Sequence, residues 1–389
     1  MYSLRKLSVL SLLIVIAFFT SCNSAADKKA TTTVNADSLY KKFNLDKIVL
    51  PAGFRISVFA EVPNARAMCW GNKGTLFVGN RGEDKVWALR DEDNDGYAEQ
   101  RFVIDTGLQM PAGVAFRNGS LYVSAISRIL RYNDIENNLS KPPKAAVVYD
   151  KFPDKEHHGW KFIAFGPDDK LYVPVGAPCN VCEKKDSAIF ASITRMNVDG
   201  SDPEIFASGV RNTVGFAWHP VTKELWFTDN NRDYMGDDMP SCELNYAPEK
   251  GMHFGFPYCH QGDTPDSLFG IGKNCADYTP PAQKMGAHTA PLGMRFYTGT
   301  QFPEQYKNQI FIAQHGSWNR KIPVGYKIML VTLDSTNKKV KDMSPFASGW
   351  LQDDKKVLGR PADVLVAADG SLLVSDDLNG AIYKISYNK

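Results

Sequence analysis

The stretch that decides the fold is RPADVLVAADGSLLVSD, residues 360–376. Two apolar runs of strand length flank an Asp-Gly turn in this stretch, and such a pattern indicates a β-hairpin. A third strand-like run, Ile382–Tyr387, follows the hairpin. The unit is therefore predicted to be a small antiparallel sheet.

The same pattern recurs along the chain, with no long helical pattern between the copies. A β-propeller repeats a four-stranded sheet around a central channel, so six copies predict an all-β, six-bladed β-propeller over residues 47–389. The other five copies are ARAMCWGNKGTLFVGN (65–80), PAGVAFRNGSLYVSA (111–125), GWKFIAFGPDDKLYVPV (159–175), NTVGFAWHPVTKELWFTD (212–229) and APLGMRFYTGTQFPEQYKNQIFIAQ (290–314).

Propeller geometry brings particular loops to one mouth of the channel, because the first strand of a blade leaves that mouth and the second strand returns to it. Arginines, histidines and amides concentrate at these positions, as the binding of a polyanionic small molecule would require. One such residue alone is more often part of a surface ion pair. The binding site is favoured because such residues occur at equivalent positions in the repeats. The positions are Arg66, Met110, Pro111, His157, His158, Arg211, Asn212, His288 and Arg360 before first strands, and 80–81, 178–179, 230–233, 315–320 and 376–377 after second strands.

The charge balance argues against polyanionic macromolecular partners. The 389 residues contain 45 Lys and Arg against 43 Asp and Glu, and loss of a leader with Arg5 and Lys6 would leave the net charge near zero. We therefore expect no nucleic-acid partner and no membrane attachment through a basic patch.

The chain begins with MYSLRKLSVLSLLIVIAFFTSCNSAADKK, a short basic region and an apolar run that ends before small residues and Cys22. The apolar run is too short for a comfortable transmembrane helix. Residues 19–22 resemble a bacterial lipobox. We therefore predict a signal peptide over 1–21, a lipid on Cys22, a tether over 22–46, and a periplasmic or cell-envelope location with the lipid as the membrane anchor. An ordinary secretory leader would also export the chain.

Export would place the remaining cysteines in an oxidising compartment. Sequence proximity predicts the disulfides Cys179–Cys182 and Cys259–Cys275. A zinc site at the first pair would need a second ligand pair at regular spacing, and the region 253–260 offers only an irregular one. We therefore favour the disulfides over zinc.

Several segments together carry a family resemblance: HHGWKFIAFGPDDKLYVPVGAPCN (157–180), GVRNTVGFAWHP (209–220), NNRDYMGDDMPSCELN (230–245), GMHFGFPYCH (251–260), HGSWNR (315–320), GRPADV (359–364) and DGSLLVSDD (369–377). They resemble the pyrroloquinoline-quinone (PQQ)-dependent sugar dehydrogenases of the soluble glucose and sorbosone dehydrogenase type, which are six-bladed propellers. The resemblance spans about Leu50 to Lys389. It implies oxidation of an aldose or of a sorbosone-like hemiacetal or aldehyde, with PQQ and Ca²⁺ as cofactors and a separate quinone or cytochrome as electron acceptor.

The resemblance also implies roles for particular residues. The family's catalytic histidine lies eight residues before the Gly of a Gly-Pro-Asp turn, which is His158 before Gly166 in this chain, and His157 falls on a supporting position. A neutral imidazole suits the removal of a hydroxyl proton as hydride leaves carbon. The family's Arg-Asn pair at the reactive quinone edge matches Arg211 and Asn212, and Arg211 would stabilise negative charge on the quinone oxygen.

Further residues are implied to hold the cofactor. An Arg that binds a cofactor carboxylate matches Arg360, whereas the second Arg of the glucose enzymes is Ala362 here. The family's quinone-binding Lys is replaced by a loop in which we nominate His315 and Arg320. Arg66, at the same mouth, completes the predicted cofactor-binding set.

The resemblance leaves the calcium ligands open. In the family an Asp just before a Glu helps to hold the ion, but Cys242 precedes Glu243 in this chain. Asp237 and Asp238 in the same loop could substitute, because calcium accepts varied oxygen geometries. Alternatively, these two residues only cap the turn.

A second acidic stretch, DEDNDGYAE (91–99), begins like an EF-hand loop. Its twelfth position is Phe102 and not the bidentate Glu, and no flanking helices are predicted. We interpret the stretch as a hairpin connection with at most weak affinity for structural calcium.

Two other functions are compatible with the fold. A metal-dependent lactone hydrolase would have acids where this chain has Arg211, Arg360 and Arg320. A non-catalytic propeller could bind a glycan or a protein on the same face. No G-x-G-x-x-G opens a βαβ unit, which argues against a nicotinamide or flavin site, and no C-x-x-C-H offers haem attachment, since Cys182 is followed by Glu183.

Overall fold

In a computed structural model, the chain forms six antiparallel four-stranded sheets, which confirms the predicted six-bladed β-propeller. The structure describes residues 36–184 and 187–388. The predicted signal peptide and Cys22 lie outside the described residues, as does most of the predicted tether.

The strands follow the order of the chain, and each blade runs outward from the channel. Strand β1 (Phe54–Glu61) is the outer strand of the sixth blade. Blade one contains β2 (Ala65–Trp70), β3 (Leu76–Asn80), β4 (Val86–Arg90) and β5 (Gln100–Asp105), and blade two contains β6 (Val114–Arg117), β7 (Ser120–Ala125), β8 (Arg128–Tyr132) and β9 (Ala146–Tyr149). Blade three contains β10 (Ala164–Phe165), β11 (Leu171–Val175), β12 (Ser192–Met196) and β13 (Glu204–Ser208).

The second half of the ring has one additional hairpin. Blade four contains β14 (Gly215–Trp218), β15 (Leu225–Asp229), β16 (Ser241–Ala247) and, after the hairpin β17 (Cys259–His260) and β18 (Thr264–Pro265), β19 (Gln283–Ala287). Blade five contains β20 (Pro291–Phe296), β21 (Ile310–Gln314), β22 (Lys327–Leu333) and β23 (Val340–Ala347), and blade six contains β24 (Pro361–Val366), β25 (Leu372–Asp376) and β26 (Ala381–Tyr387). Short 3-10 turns lie at Leu45–Lys47, Ile135–Asn137, Cys275–Asp277 and Glu304–Tyr306.

The hairpins form where the repeated pattern predicts them. Every residue of the second strands β3, β11, β15, β21 and β25 is buried, as expected for short apolar runs with neighbours on both faces. Strands β6 and β7 are joined by Asn118-Gly119, whose φ angles of 49° and 77° are both positive. A two-residue Asn-Gly turn of this kind matches the twist of the flanking strands.

Neighbouring blades pack through aromatic rings and through glycines on the inner strands. The rings of Phe77 and Phe116 stack at 5.7 Å between blades one and two, and Phe162 meets Phe216 edge-on at 4.9 Å between blades three and four. A Cβ on Gly293 would lie 2.1 Å from Asp363 Oδ1, so blades five and six approach closely only because residue 293 is glycine.

The ring closes by joining the two ends of the described chain. Strand β1 pairs antiparallel with β26, from Phe54 opposite Tyr387 to Glu61 opposite Ala381. The sixth blade therefore combines one strand from the start of the propeller with three strands from its end.

The segment before β1 is folded against the propeller. Helix α1 (Ala36–Lys42) and the turn after it bury Leu39, Phe43 and Leu45 in the core shared by blades five and six. Residues 36–46, which were expected to belong to the tether, are thus packed, because their apolar side chains find a hydrophobic surface. None of the helices in the described ranges is long and apolar enough to cross a membrane.

Both disulfides predicted from sequence proximity are present. Cys179 is bonded to Cys182, and Cys259 to Cys275. Cys69 and Cys242 are free thiols among the described cysteines. The first disulfide lies in the loop after β11 and the second ties down the insertion that contains β17 and β18.

Candidate active site

We call the channel end where first strands begin and second strands end the front mouth, and the opposite end the back mouth. A cavity of about 320 Å³ opens at the front mouth. Residues from five of the six blades, all except blade two, contribute to its wall. Those singled out by sequence and found in the wall are Arg66, His158, Arg211, Asn212, His315 and Arg360.

His158 is buried in this wall with one ring nitrogen committed. Its Nδ1 lies 2.8 Å from the carbonyl oxygen of Ala177, so Nδ1–H donates and Nε2 stays free to accept a proton. Burial, together with Arg211 and His157 nearby, lowers the pKa of His158 well below its usual value. The imidazole is therefore neutral at pH 7.

The backbone around His158 is held tightly. The residue has a φ of 53°, and a Cβ on Gly176 would lie 2.6 Å from the His158 Cβ, so glycine permits the close approach of the two segments. The buried Lys161 donates from Nζ to the carbonyl of Gly159, at 2.7 Å, and to that of Ile126, at 2.6 Å. His157 lies next to the His158 ring, with 4.0 Å between ring centroids, but is not part of the cavity wall.

Arg211 is fixed on the same side of the cavity. Its Nε and Nη2 donate to the backbone and side-chain oxygens of Asn180, at 2.8 and 3.0 Å, and its Nη1 donates to the carbonyl of Asn230 at 2.9 Å. The buried carboxylate of Asp229 accepts the backbone N–H groups of Arg211 and Asn212, at 2.8 and 2.6 Å. The pair predicted at the reactive edge is thus held rigidly by the end of β15.

Across the cavity, three basic side chains converge on Asp377. Arg66 Nε lies 3.1 Å, Arg360 Nε 3.2 Å and His315 Nε2 2.9 Å from its carboxylate oxygens. Although burial works to raise it, Arg66 and His315 hold the pKa of Asp377 well below its usual range. Burial lowers the pKa of His315 to about 4, so this group is a neutral donor to an ionised carboxylate at pH 7.

The cationic side of the cavity has hydrogen-bonding capacity that the described protein atoms do not fill. The Nη1 atom of Arg66 and the Nε atom of Arg81 are buried without a hydrogen-bond partner. The guanidinium of Arg81 lies 4.0 Å from the centroid of the Trp160 ring. The guanidinium groups of Arg66 and Arg360 share one carboxylate, that of Asp377. Buried unpaired donors of this kind favour an anionic ligand.

Arg320 does not line the cavity. It donates to the carbonyl of Asp237 and, at 2.9 Å, to the carboxylate of Asp238, whose side chain is 86% exposed. The predicted calcium ligands Asp237 and Asp238 therefore lie on the rim of the front mouth, where both contact the guanidinium of Arg320. The alternative interpretation, that these two residues only cap the turn, predicts the same position.

Two buried carboxylates lie behind the wall at Cys242. Burial raises the pKa of Asp229 and that of Glu243, and repulsion from Asp229 adds to the effect on Glu243. Glu243 accepts hydrogen bonds from the side chains of Asn231 and Asn245, both at 3.0 Å. Their contacts are those of structural groups that hold the loop after β15.

The acidic stretch 91–99 connects β4 and β5 as a hairpin, as expected. Carboxylate oxygens of Asp91, Asp93 and Glu99 lie within 4.8 Å of one another, and this is the group of three potential metal ligands found in the described ranges. It lies on the outer part of blade one and not in the cavity wall.

Several wall residues were missed by sequence reasoning. Arg81, Asp233, His288 and Trp318 occupy front-mouth positions but received no role, and Trp160 and Tyr326 were not considered. Trp160 could have been found, because it lies between His158 and the inner strand of blade three, on the side of the front mouth. Asp377 is contacted by basic residues from three blades, and no local sequence pattern indicates these contacts.

A cation-lined cavity at one mouth of a six-bladed propeller is the arrangement predicted from the resemblance to PQQ-dependent sugar dehydrogenases, and that resemblance is confirmed. The chain belongs to the TrAA12-like family, whose model matches residues 48–388. A protein of Borreliella burgdorferi described as uncharacterized is 32% identical over 354 residues, covering 87% of this chain and 91% of the relative.

Two solved structures have the same fold. The calcium structure of the Trichoderma reesei family AA12 protein matches with a TM-score of 0.76 and 18% identity, covering 88% of this chain and 97% of that one. The holo form of the PQQ domain of pyranose dehydrogenase from Coprinopsis cinerea matches with a TM-score of 0.74 and 17% identity, covering 87% and 97%. At these identities the similarity establishes the architecture.

Proposed function

We propose that this protein oxidises a sugar, an aldose or a sorbosone-like hemiacetal or aldehyde, by hydride transfer to PQQ with His158 as the base. One observation carries the proposal. A neutral imidazole with one ring nitrogen free of hydrogen bonds lines the same cavity as a cluster of arginines with unpaired N–H groups. A proton acceptor and an anion site on opposite walls are what this reaction requires.

The residues present fit the cofactor. PQQ carries three carboxylates on a flat ring system, and Arg66, Arg81 and Arg360 offer guanidinium groups for carboxylate recognition. Trp160, Asn212 and His315 also line the cavity, and Trp160 contributes an aromatic ring. When bound, PQQ would supply the carbon that accepts hydride.

The chain's own groups would then act on the substrate and on developing charge. His158 Nε2 would take the hydroxyl proton, while its Nδ1–H bond to Ala177 holds the ring in the correct tautomer. Arg211, anchored by Asn180 and Asn230, would stabilise negative charge on the quinone oxygen. Because its anchors are made in advance, Arg211 needs no reorganisation during the reaction.

Calcium binding by Asp237 and Asp238 stays a prediction. An ion at this rim would have to replace the contacts of Arg320 with both residues. Calcium titration of the PQQ-loaded protein, with Asp238→Asn for comparison, tests the assignment through the cofactor's absorption spectrum.

We further propose that the chain is a lipoprotein of the cell envelope, anchored at Cys22. The support is the leader pattern, since Cys22 lies outside the described residues. Replacing Cys22 by Ser should release the protein from the membrane fraction. A variant that stays in that fraction unchanged would contradict the anchor.

The central experiment adds PQQ and Ca²⁺ to purified protein and records the absorption spectrum with and without a panel of aldoses. We expect saturable binding and bleaching of the oxidised cofactor by at least one sugar. Saturable binding without reduction by any sugar would favour a non-catalytic glycan-binding propeller. No binding at all would leave the arginine cluster without the proposed ligand and refute the proposal.

A further inference from the structure

The back mouth contains a second cavity, of about 390 Å³, to which the proposed sugar chemistry assigns no role. The ends of the inner strands form its wall. Arg295 is the one charged residue among the described residues that line it, and six lining residues are aromatic: Trp70, Phe116, Phe162, Phe165, Phe216 and Trp218. An apolar cavity with a single polar group is typical of a small-molecule site.

The charge of Arg295 is already balanced. Its Nη2 lies 3.3 Å from the carboxylate of Asp363, which is 2% exposed, and its guanidinium lies 4.8 Å from the centroid of the Phe162 ring. An anion would therefore find no excess positive charge here. A neutral, flat ring with carbonyl acceptors would match both the aromatic walls and the N–H donors of Arg295.

The two mouths are joined by shared wall residues. A small cavity of about 20 Å³ lies between them, and Arg66 and Trp160 line both this cavity and the front one. Phe162 lines both the small cavity and the back one. From Trp160 to Phe165 the inner segment of blade three covers roughly 16 Å, at about 3.3 Å per residue.

We propose that the back mouth binds the ring of a neutral quinone, which receives the electrons of sugar oxidation. The inference rests on the proposed function, because oxidising one hydroxyl leaves two electrons and two protons on the reduced cofactor. Two electrons would pass along the segment from Trp160 to Phe165 to the quinone. The quinone would take two protons from solvent at the back mouth and become a quinol. At the front mouth, two protons would be released to solvent, so that protons and electrons balance.

The test of binding needs neither sugar nor PQQ. Duroquinone is the probe, because its four ring positions are methylated and cannot add the free thiol of Cys69. Saturable quenching of tryptophan fluorescence is expected in the unmodified protein, since Trp70 and Trp218 line the cavity. Ala164→Phe, which fills the cavity, should weaken the saturable binding by at least about tenfold through steric exclusion.

The matched control is Val147→Phe, on outer strand β9, where the side chain is 56% exposed and away from the channel. This variant should bind duroquinone as the unmodified protein does. Lack of saturable quenching in the unmodified protein, or equal binding in Ala164→Phe, would overturn the site. Thermal unfolding is recorded for each variant, and Ala217→Leu replaces Ala164→Phe if the latter fails to fold.

A kinetic comparison separates this inference from the proposed function. With PQQ and a reacting sugar, Ala164→Phe should slow turnover linked to duroquinone by at least about tenfold and leave turnover with ferricyanide within about twofold. Equal slowing with both acceptors would overturn the electron-transfer role. If no sugar reacts, the proposed function fails, whereas the fluorescence titration still decides whether the quinone site exists.

Discussion

The front and back mouths are two ends of the same inner strands, yet their walls are built differently. At the front, long connections such as 230–240, between β15 and β16, extend beyond the strands and carry polar groups into the cavity. At the back, tight turns such as Asn118-Gly119 leave the strand ends themselves as the wall. The front wall therefore contains polar residues of these connections, such as Asn231 and Asp233, besides Arg66 and Arg360, whereas the back wall is aromatic.

This difference shows what a repeat does and does not determine. The hairpin pattern sets where each strand ends, and core packing selects apolar residues at strand ends that continue the blade interior. Loops that extend past the strands carry no such requirement, so they can collect buried charge at the cost of organising it around a shared carboxylate, Asp377.

The largest expected contrast concerns His158 at the front mouth. His158→Ala should lower turnover by about 10²-fold or more, because a positioned proton acceptor is removed, while PQQ affinity stays nearly intact. His157→Ala is the matched control, since that ring touches His158 but does not line the cavity. Steady-state kinetics with a reacting sugar decides between them. Full activity in His158→Ala would refute the mechanism.

The next largest expected effect concerns cofactor binding by the cationic wall of the front mouth. Arg360→Ala should weaken PQQ binding by about 1.5–3 kcal/mol, the range for a charged hydrogen bond. Arg360→Lys should recover part of this loss, since it keeps the charge but not the planar fork. Spectroscopic titration measures all three proteins. An unchanged affinity in Arg360→Ala would remove this residue from the site.

A smaller effect is expected on the rim of the front mouth. Arg320→Ala should change PQQ affinity by less than about 1 kcal/mol, because Arg320 contacts the exposed Asp238 and does not line the cavity. The same titration measures it beside Arg360→Ala. A loss as large as that of Arg360→Ala would restore Arg320 to the cofactor site suggested by the resemblance.

The smallest expected effect is in the pH profile. The pKa of His158 is lowered, so the neutral base is present above the lowered pKa and is lost only as pH falls through it. The acid limb of kcat/KM should therefore lie below 6.5, and the rate at pH 6.5 should be reduced by less than about twofold relative to pH 7.5. An acid limb at or above 6.5 would show that the base has an ordinary or raised pKa.

The fold was largely predictable from sequence because its signal is local. Two apolar runs around a turn, such as those of 360–376, specify a hairpin without reference to the rest of the chain. The pairing of β1 with β26 carries no such signal, since residues near 54 have no local pattern that names partners near 387. Packing of the segment from residue 36 was missed because Leu39 and Phe43 are too few to form a recognisable periodicity.

The sequence could predict the site residues that lie close to the ends of strands. Arg360 directly precedes β24, and Arg211 and His158 lie shortly before β14 and β10, so their positions relative to the first strands bring them to the front mouth. His315 directly follows β21 and lines the cavity, whereas Arg320, five positions further along the same loop, lies on the rim. Beyond the end of a strand, the path of a loop depends on contacts such as that between Arg320 and Asp238, which no sequence period encodes.

Closure of the ring by its first and last strands has a consequence for how the protein is made. Strand β1 is synthesised before the first five blades and its partner β26 after them, so the sixth blade stays incomplete until β26 has been made. Contacts between such distant parts of a chain slow folding, and unpaired strand edges invite pairing with other chains in the interval. A nascent chain therefore presents an open edge to chaperones and proteases, and loss of β26 would leave the chain in that state.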